Sequence, residues 1–240
     1  MNDRSQAVDY LSGDVPLHID MLEAIRREAA DLAGTSSRGV LLWHREAGAW
    51  MLSAADTAAA TALIRLAGSA DLFVCHQADQ IPLVRQRFGL TDGMYCHQAA
   101  WLTGGLLPEP AVAGLAISRL DESCLPFVRQ HYSHAIGESY LRERLCAGML
   151  YGASIDGRPA GFAGFHPEGS LGMLEVLPAF RRRGVALALQ AFLANINIRQ
   201  GQVPFAQIKI GNMASLALQR KAGFTLADGT ISWLMKGEIA

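Results

Sequence analysis

The order of hydrophobic and polar positions predicts alternating strands and helices along the whole chain. In the second half, short apolar runs of strand length precede longer alanine- and leucine-rich runs, with glycine, proline and aspartate between them. The predicted order there is β-α-α-β-β-β-α-β-α-β-β. Its elements cover residues 113–120, 121–131, 138–147, 149–155, 160–166, 171–177, 185–199, 205–210, 213–222, 224–226 and a last strand that ends near Met235. This order indicates an α/β (α+β) fold.

The first half has a related pattern. It predicts a helix at 17–32, strands at 39–43 and 49–53, a helix at 57–67, a strand at 72–75, a helix at 80–88 and a strand at 94–102. Its β-β-α-β-α-β succession repeats the core of the second half. We interpret the first half as a diverged repeat, and an unrelated α/β domain is the alternative because short successions of this kind recur widely.

A boundary between the halves is predicted at residues 103–112. This segment holds two glycines and two prolines, which interrupt regular structure. The expected domains are residues 1–105 and residues 112–240.

The turn after the predicted strand 171–177 is the most informative local feature. Pro178 ends the strand, and three arginines (Arg181, Arg182 and Arg183) follow. After Gly184 a helical run starts at once, with Ala186 in its first turn. The first N–H groups of a helix lack partners and carry partial positive charge, so such a turn favours an anion, above all a pyrophosphate. The alternative is a solvated basic turn. Neither the Walker pattern nor Gly-x-Gly-x-x-Gly is present.

A second block begins at Asn212. This residue is a good helix N-cap, Leu216, Leu218 and Ala222 supply part of an apolar stripe, and Gly223 suits a helix C-terminus. By itself the block is equally well explained as an ordinary capped helix.

Together the two blocks resemble the signatures of the GNAT N-acetyltransferase superfamily. The first is Arg181-x-x-Gly184-x-Ala186, and the second is Asn212-x-x-Ser215 followed by Gly223-Phe224. The resemblance covers about residues 112–240 and implies a GNAT fold with a mixed, mostly antiparallel central sheet. It also implies that the first half is a smaller, diverged GNAT-like domain without a cofactor motif, since residues 53–56 lack glycine and arginine and carry an acid.

The resemblance implies that acetyl-CoA is the acyl donor and that no metal is needed. In the family, the backbone of the strand holds the pantetheine arm, the turn holds the pyrophosphate, and the Asn of the second block contacts the arm or the active site. Many members have a tyrosine acid where this chain has Gln219. The implied donor-binding residues are Leu174, Glu175, Val176, Arg181, Arg182, Arg183, Gly184, Val185, Ala186, Asn212, Ser215 and Gln219.

Candidate catalytic residues lie on or beside the strand 171–177. Glu175 is the only charged residue in that apolar run, so it is expected to be partly desolvated and suited to act as a base, or else to pair with an arginine. Glu168 is a second candidate base, with a solvated turn residue as the alternative. Ser170 lies where several family members have an acid. His166 is a third candidate base or a plain hairpin residue.

The segment His131-x-x-His134, with Tyr132 and Tyr140, is expected near the acceptor pocket. A metal site there would need a third ligand that the spacing does not supply.

Further residues resemble the glycine N-acyltransferase-like branch, among them the run 165–172 and Trp233-Leu234. This implies a small amine or an amino acid as acceptor and a monomer or homodimer. The alternatives are a non-catalytic acyl-CoA-binding or sensing module, motivated by the missing tyrosine, and a scaffold without ligand.

Composition narrows the remaining classes. Of the 240 residues 18% are charged, with a formal net charge of −1, which argues against nucleic-acid binding. None of the four cysteines forms a C-x-x-C pair, so we expect buried free thiols and no metal. Residues 1–14 lack a signal-peptide core, and no apolar run approaches the ~20 residues that span a bilayer. The expected location is the cytoplasm, without membrane contact.

Overall fold

The computed structural model describes residues 3–133 and 137–237, which form eight α-helices and eleven β-strands. The helices are α1 (Asp3–Leu11), α2 (Ile19–Arg26), α3 (Thr57–Ile64), α4 (Ile81–Phe88), α5 (Leu125–His131), α6 (Glu138–Cys146), α7 (Val185–Arg199) and α8 (Met213–Ala222). The strands are β1 (Ala30–Ser36), β2 (Gly39–His44), β3 (Ala49–Ala54), β4 (Leu72–Cys75), β5 (Asp92–Ala100), β6 (Leu115–Arg119), β7 (Leu150–Ile155), β8 (Arg158–Phe165), β9 (Leu171–Val176), β10 (Phe205–Lys209) and β11 (Thr225–Met235).

The strands form two sheets. One has the order β1-β2-β3-β4-β11-β5-β10, and the other has the order β6-β7-β8-β9. Only β3 and β4 are parallel neighbours in these described strands; the other pairs are antiparallel. The predicted mixed, mostly antiparallel architecture is confirmed.

The two halves have the same order of elements. The first runs α1-α2-β1-β2-β3-α3-β4-α4-β5, and the second runs α5-α6-β7-β8-β9-α7-β10-α8-β11 after the extra strand β6. The predicted β-β-α-β-α-β repeat is therefore confirmed, and it extends to one more strand and two helices that precede it.

The last strands of the two halves are exchanged. β11 lies between β4 and β5, and β5 lies between β11 and β10. In this arrangement Cys96 of β5 pairs with Ile231 on one side and with Lys209 on the other. Each half thus builds its sheet around a strand supplied by the other.

Helices cover both faces of this framework. α1 and α2 pack on one face of the seven-stranded sheet and α3 and α4 on the other. In the second half, α7 packs on one face of the sheet and α5 and α6 on the opposite face of β8 and β9. The buried apolar side chains lie between these layers.

A buried polar network fixes α2 to both halves. The Asp20 carboxylate contacts His76 Nε2 at 2.9 Å and accepts hydrogen bonds from the side-chain amides of Gln98 and Gln207. Burial alone would raise the pKa of Asp20, but the charge and hydrogen bond of His76 bring it below its usual value. Conversely, Asp20 raises the pKa of buried His76 against the effect of burial. Each side chain therefore favours the charged form of the other.

The structure differs from the prediction in three places. The helix expected at 17–32 ends at Arg26, since Glu28 has a left-handed backbone (φ 54°) and residues 30–36 pair with β2 as a strand. Helix α1 was not predicted. The two last strands are one strand, β11, whose pairing with β5 is irregular between Leu226 and Thr230.

The cysteines only partly match the expectation of buried thiols. Cys75 and Cys96 are buried, and burial raises the pKa of each thiol to about 12. Cys124 is half-buried and Cys146 is exposed. In the described part of the chain, no group of His, Cys, Asp and Glu side chains could hold a metal ion. None of the described helices combines the length and apolarity that a membrane crossing requires.

The strand exchange predicts that neither half folds alone. Residues 112–240 expressed separately lack β5, which leaves both β10 and β11 without their shared neighbour. We expect no cooperative thermal transition for either half, and a 1:1 complex with the transition of the intact chain when residues 1–105 and 112–240 are co-expressed. Circular dichroism and size-exclusion chromatography measure both outcomes. A separate, cooperatively unfolding monomer of either half would contradict the exchange.

Candidate active site

The turn between β9 and α7 has two residues in the left-handed region. Arg182 has φ 62° and Gly184, the N-cap of α7, has φ 86°. A β-carbon at Gly184 would lie only 3.1 Å from Cγ2 of Val112. Left-handed backbone at a residue other than glycine costs about 1–3 kcal/mol, so the surrounding structure imposes the shape of this turn. We call residues 181–184 the arginine turn.

The amides at the start of α7 are free of protein acceptors. Arg181 N–H donates to Pro178 O, and Ala188 N–H makes the first bond into the helix, to Gly184 O. Among the described residues, none accepts a hydrogen bond from the six N–H groups between them, and no side chain caps the helix. These amides and the helix dipole form a site for an anion.

The three arginines have different surroundings. Arg181 Nε donates to Val176 O at 3.1 Å, which braces the turn against β9. The Arg183 guanidinium lies over the Phe180 ring, 5.4 Å from its centre. Arg182 is exposed and pairs with no carboxylate in the described residues. Of the three side chains, Arg182 is thus the most available for a ligand.

One edge of β9 has no strand partner among the described strands, because β9 pairs only with β8 while β10 pairs with β5. Leu177 N–H bonds to Ala160 O, so by alternation Leu174 and Val176 direct their backbone groups away from β8. A bulge precedes them at Met173, which has φ 50°. We call this the open edge of β9.

Glu175 lies on the face of β9 that α5 and α6 cover. It pairs across the sheet with Phe162, and its Oε1 accepts hydrogen bonds from the backbone N–H of Ser133, at 3.0 Å, and from the Ser133 hydroxyl. No arginine of the described residues pairs with it, so its partner is a serine instead. Burial, and then the Glu175 charge, raise the pKa of nearby Tyr132. Ser133 was not anticipated, because nothing in its local sequence signals this contact.

Glu168 and Ser170 lie on the turn from β8 to β9, and both are buried. The Ser170 hydroxyl donates to Glu168 Oε1. The alternative interpretation of Glu168 as a solvated turn residue is therefore wrong. The two residues lie at the opposite end of β9 from the arginine turn.

His166 lies directly against β9. Its Nδ1 is hydrogen-bonded to the Tyr140 hydroxyl, and a β-carbon on Gly172 would lie 2.4 Å from its Nε2. The absence of a side chain at Gly172 is what admits the imidazole. Tyr140 thus lies near β9 through His166, while His131 contacts Phe127. An acceptor pocket lined by these residues stays a prediction. His134 lies outside the described residues.

Residues of the second block have structural partners. Asn212 caps α8 as predicted, its Oδ1 accepting from Ser215 N–H at 3.0 Å. Gln219 is buried and its Oε1 accepts from Gln190 of α7 at 2.9 Å. Gln219 therefore joins α8 to α7, and a role of these residues towards a ligand stays a prediction.

The equivalent helix start in the first half, that of α3, is capped by a side chain. Asp56 caps α3, its Oδ1 accepting from Ala59 N–H at 2.8 Å, and its Oδ2 is bound by Arg38. The acid noted in the sequence thus occupies the position where the second half leaves its amides free.

Among models of protein families, the one described as FR47-like protein matches residues 163–234 of this chain, from β8 to β11. No curated protein matches the sequence. Similar solved structures include a Drosophila protein (TM-score 0.62, 16% identity, covering 100% of this chain and 98% of that chain). Others are a GCN5-related N-acetyltransferase from Kribbella flavida (0.58, 14%, 94% and 96%) and a GCN5-related N-acetyltransferase-like protein from Streptococcus suis (0.55, 15%, 98% and 100%).

The fold is the GNAT fold. At these identities the likeness establishes the fold alone, and its near-complete coverage of both chains includes the diverged first half. The fold class inferred from the two signatures is therefore confirmed.

The contact between His166 and Gly172 can be tested by stability. Gly172→Ala forces the imidazole away from β9 and should destabilise the protein by about 1–3 kcal/mol. In a His166→Ala background the same change should cost much less, because the clash is gone. Urea unfolding of the wild type, both single variants and the double variant measures the coupling. Additive effects would show that the two residues do not meet.

Proposed function

We propose that this protein is an N-acyltransferase that moves an acetyl or other acyl group from acyl-CoA to the amine of a small molecule. The observation that carries the proposal is the set of free amides at the start of α7, next to the open edge of β9. Similarity of the fold and the FR47-like match add general support.

The two features match two parts of coenzyme A. Its pyrophosphate suits the free amides between Arg182 and Leu187, the helix dipole and the exposed Arg182. Its pantetheine arm contains two amide groups, which suit backbone groups of an unpaired strand edge at Leu174 and Val176. The proposed donor site therefore comprises residues 174–176 and 181–186. Asn212, Ser215 and Gln219 are proposed to support it from α8.

Acyl transfer to an amine needs a neutral nucleophile and a group that accepts its proton. Bound as substrate, acyl-CoA supplies the activated thioester. Glu175 is the proposed base, since it lies beside the open edge and Ser133 holds its carboxylate in place. Glu168, with Ser170, is the second candidate. Gln219 cannot donate a titrating proton, so the proposed reaction lets the thiolate leave without an acid from α8.

The resemblance to the glycine N-acyltransferase-like branch supports a small amine or amino acid as acceptor. A cytoplasmic location and a monomer or homodimer are further parts of the proposal. Residues 1–105 are proposed to form a cofactor-free domain, supported by the Asp56 cap on α3.

Donor binding is tested with Ala186→Glu and its matched control Ala186→Gln. Ala186 is half-buried in the first turn of α7, where an acidic residue is compatible with the helix. The glutamate should weaken acetyl-CoA binding about tenfold or more by repelling the pyrophosphate, while glutamine, of similar size, should have a smaller effect. Isothermal titration calorimetry measures both affinities, and circular dichroism checks the fold. Equal affinities of the two variants would reject the site.

Catalysis is tested by release of free thiol across a panel of amines and amino acids. Glu175→Gln should lower kcat about 100-fold or more while the acetyl-CoA affinity stays unchanged, because only the proton acceptor is removed. Ser133→Ala, which removes one hydrogen bond to the carboxylate, should have a smaller effect on kcat. Full activity of Glu175→Gln would transfer the role to Glu168. Binding of acetyl-CoA without turnover of any amine would favour a sensing module.

A further inference from the structure

A cleft lies between the two halves, at the far end of α7 from the arginine turn. Its volume is about 350 Å³, and its walls include Arg27, His44 and Glu46 from the first half and Arg144, Glu168 and Asn197 from the second. Along α7, Asn197 is twelve residues from Val185, or about 18 Å at the helical rise. We call this cavity between the two halves the inter-half cleft.

Three side chains that line the inter-half cleft have buried N–H groups without acceptors. Arg27 Nη2, Arg144 Nε and Asn197 Nδ2 find no hydrogen-bond partner within residues 3–133 and 137–237. Arg144 is 2% exposed and Asn197 is 3% exposed. An unpaired buried donor costs about 1–3 kcal/mol, and native structures contain few of them.

His44 adds a fourth donor. Its Nδ1 accepts a hydrogen bond from Ala47 N–H, so neutral His44 carries its proton on Nε2, for which the described residues offer no acceptor. Burial lowers the pKa of His44, which favours this neutral form.

The carboxylates of the cleft already have partners. Glu46 accepts from Arg144 Nη1 at 2.9 Å, Glu168 accepts from Ser170, and outside the cleft Glu23 accepts from Arg27 Nε at 3.1 Å. Arg119, exposed at the edge of the cleft, donates to the Tyr151 hydroxyl and lies over its ring, and it pairs with no carboxylate in the described residues. Arg144 Nη2 also donates to Glu143, at 2.7 Å. These contacts still leave Arg27 Nη2, Arg144 Nε and Asn197 Nδ2 without an acceptor in the described residues.

The geometry points to an oxyanion site in the inter-half cleft, where a small carboxylate or a phosphate ion binds between the two halves. Each oxygen of such an ion accepts more than one hydrogen bond, and arginines are well suited to both groups. The volume lies at the lower end of the roughly 300–1,000 Å³ that small-molecule sites occupy.

Binding is measured in the Ala186→Glu variant, so that anions cannot bind at the arginine turn. Malonate and inorganic phosphate are titrated at constant ionic strength, with chloride as the reference, and Tm and calorimetric heat are recorded. We expect saturable binding of at least one of the two, with a Tm rise of about 3 °C or more at ten times Kd. The two arms show whether the site prefers a carboxylate or a phosphate.

Asn197→Leu keeps the volume of the side chain and removes an unpaired donor. It should leave the unliganded Tm unchanged or higher, and it should weaken anion binding about tenfold. Arg119→Gln should weaken binding severalfold without changing the fold, whereas Arg65→Gln, an equal charge change at the end of α3, should not.

Absence of saturable binding for both anions, or equal affinities in Arg119→Gln and Arg65→Gln, would overturn the proposal and assign the cleft to water alone. Because acetyl-CoA is absent from these titrations, their result is independent of the proposed acyl transfer.

Discussion

The pairing of β5 with β11 is the contact on which the rest of the structure depends. It places the last strand of each half inside the sheet of the other and thereby fixes β10 next to β5. With β10 held there, β9 keeps an edge that no described strand pairs with. The Asp20 network adds specificity to this arrangement, because its carboxylate is satisfied only when Gln98 of β5 and Gln207 of β10 lie side by side.

The two halves differ in the groups that face the N–H groups at an equivalent helix start. Both end a strand and begin a helix at equivalent places, with free amides in the second half and Asp56 on the amides of α3 in the first. A carboxylate at this point satisfies the same N–H groups that a phosphate would bind. Both halves therefore share the order of elements, and the proposed chemistry is assigned to the second half alone.

Local patterns allowed most of the second half to be predicted. α7 and α8 have the predicted bounds because the capping residues Gly184, Asn212 and Gly223 directly flank the helix ends that they determine. The helix predicted at 17–32 is too long, because residues 30–36 pair with β2 and this pairing overrides their helical pattern. The strand exchange, the Ser133 contact and the inter-half cleft all join residues distant in sequence, as Arg144 and Glu46 show, and no local pattern reports them.

The two ends of α7 place opposite demands on an anion. At its first turn the helix dipole and free amides favour negative charge, so the turn needs little beyond backbone. Asn197 lies in the last turn of α7, where the helix dipole has its negative end and therefore disfavours an anion. A site there requires positive side chains from elsewhere, and the first half supplies Arg27 while the end of α6 supplies Arg144. The proposed site would give a physical reason for two largely buried arginines that each keep one N–H group without an acceptor in the described residues.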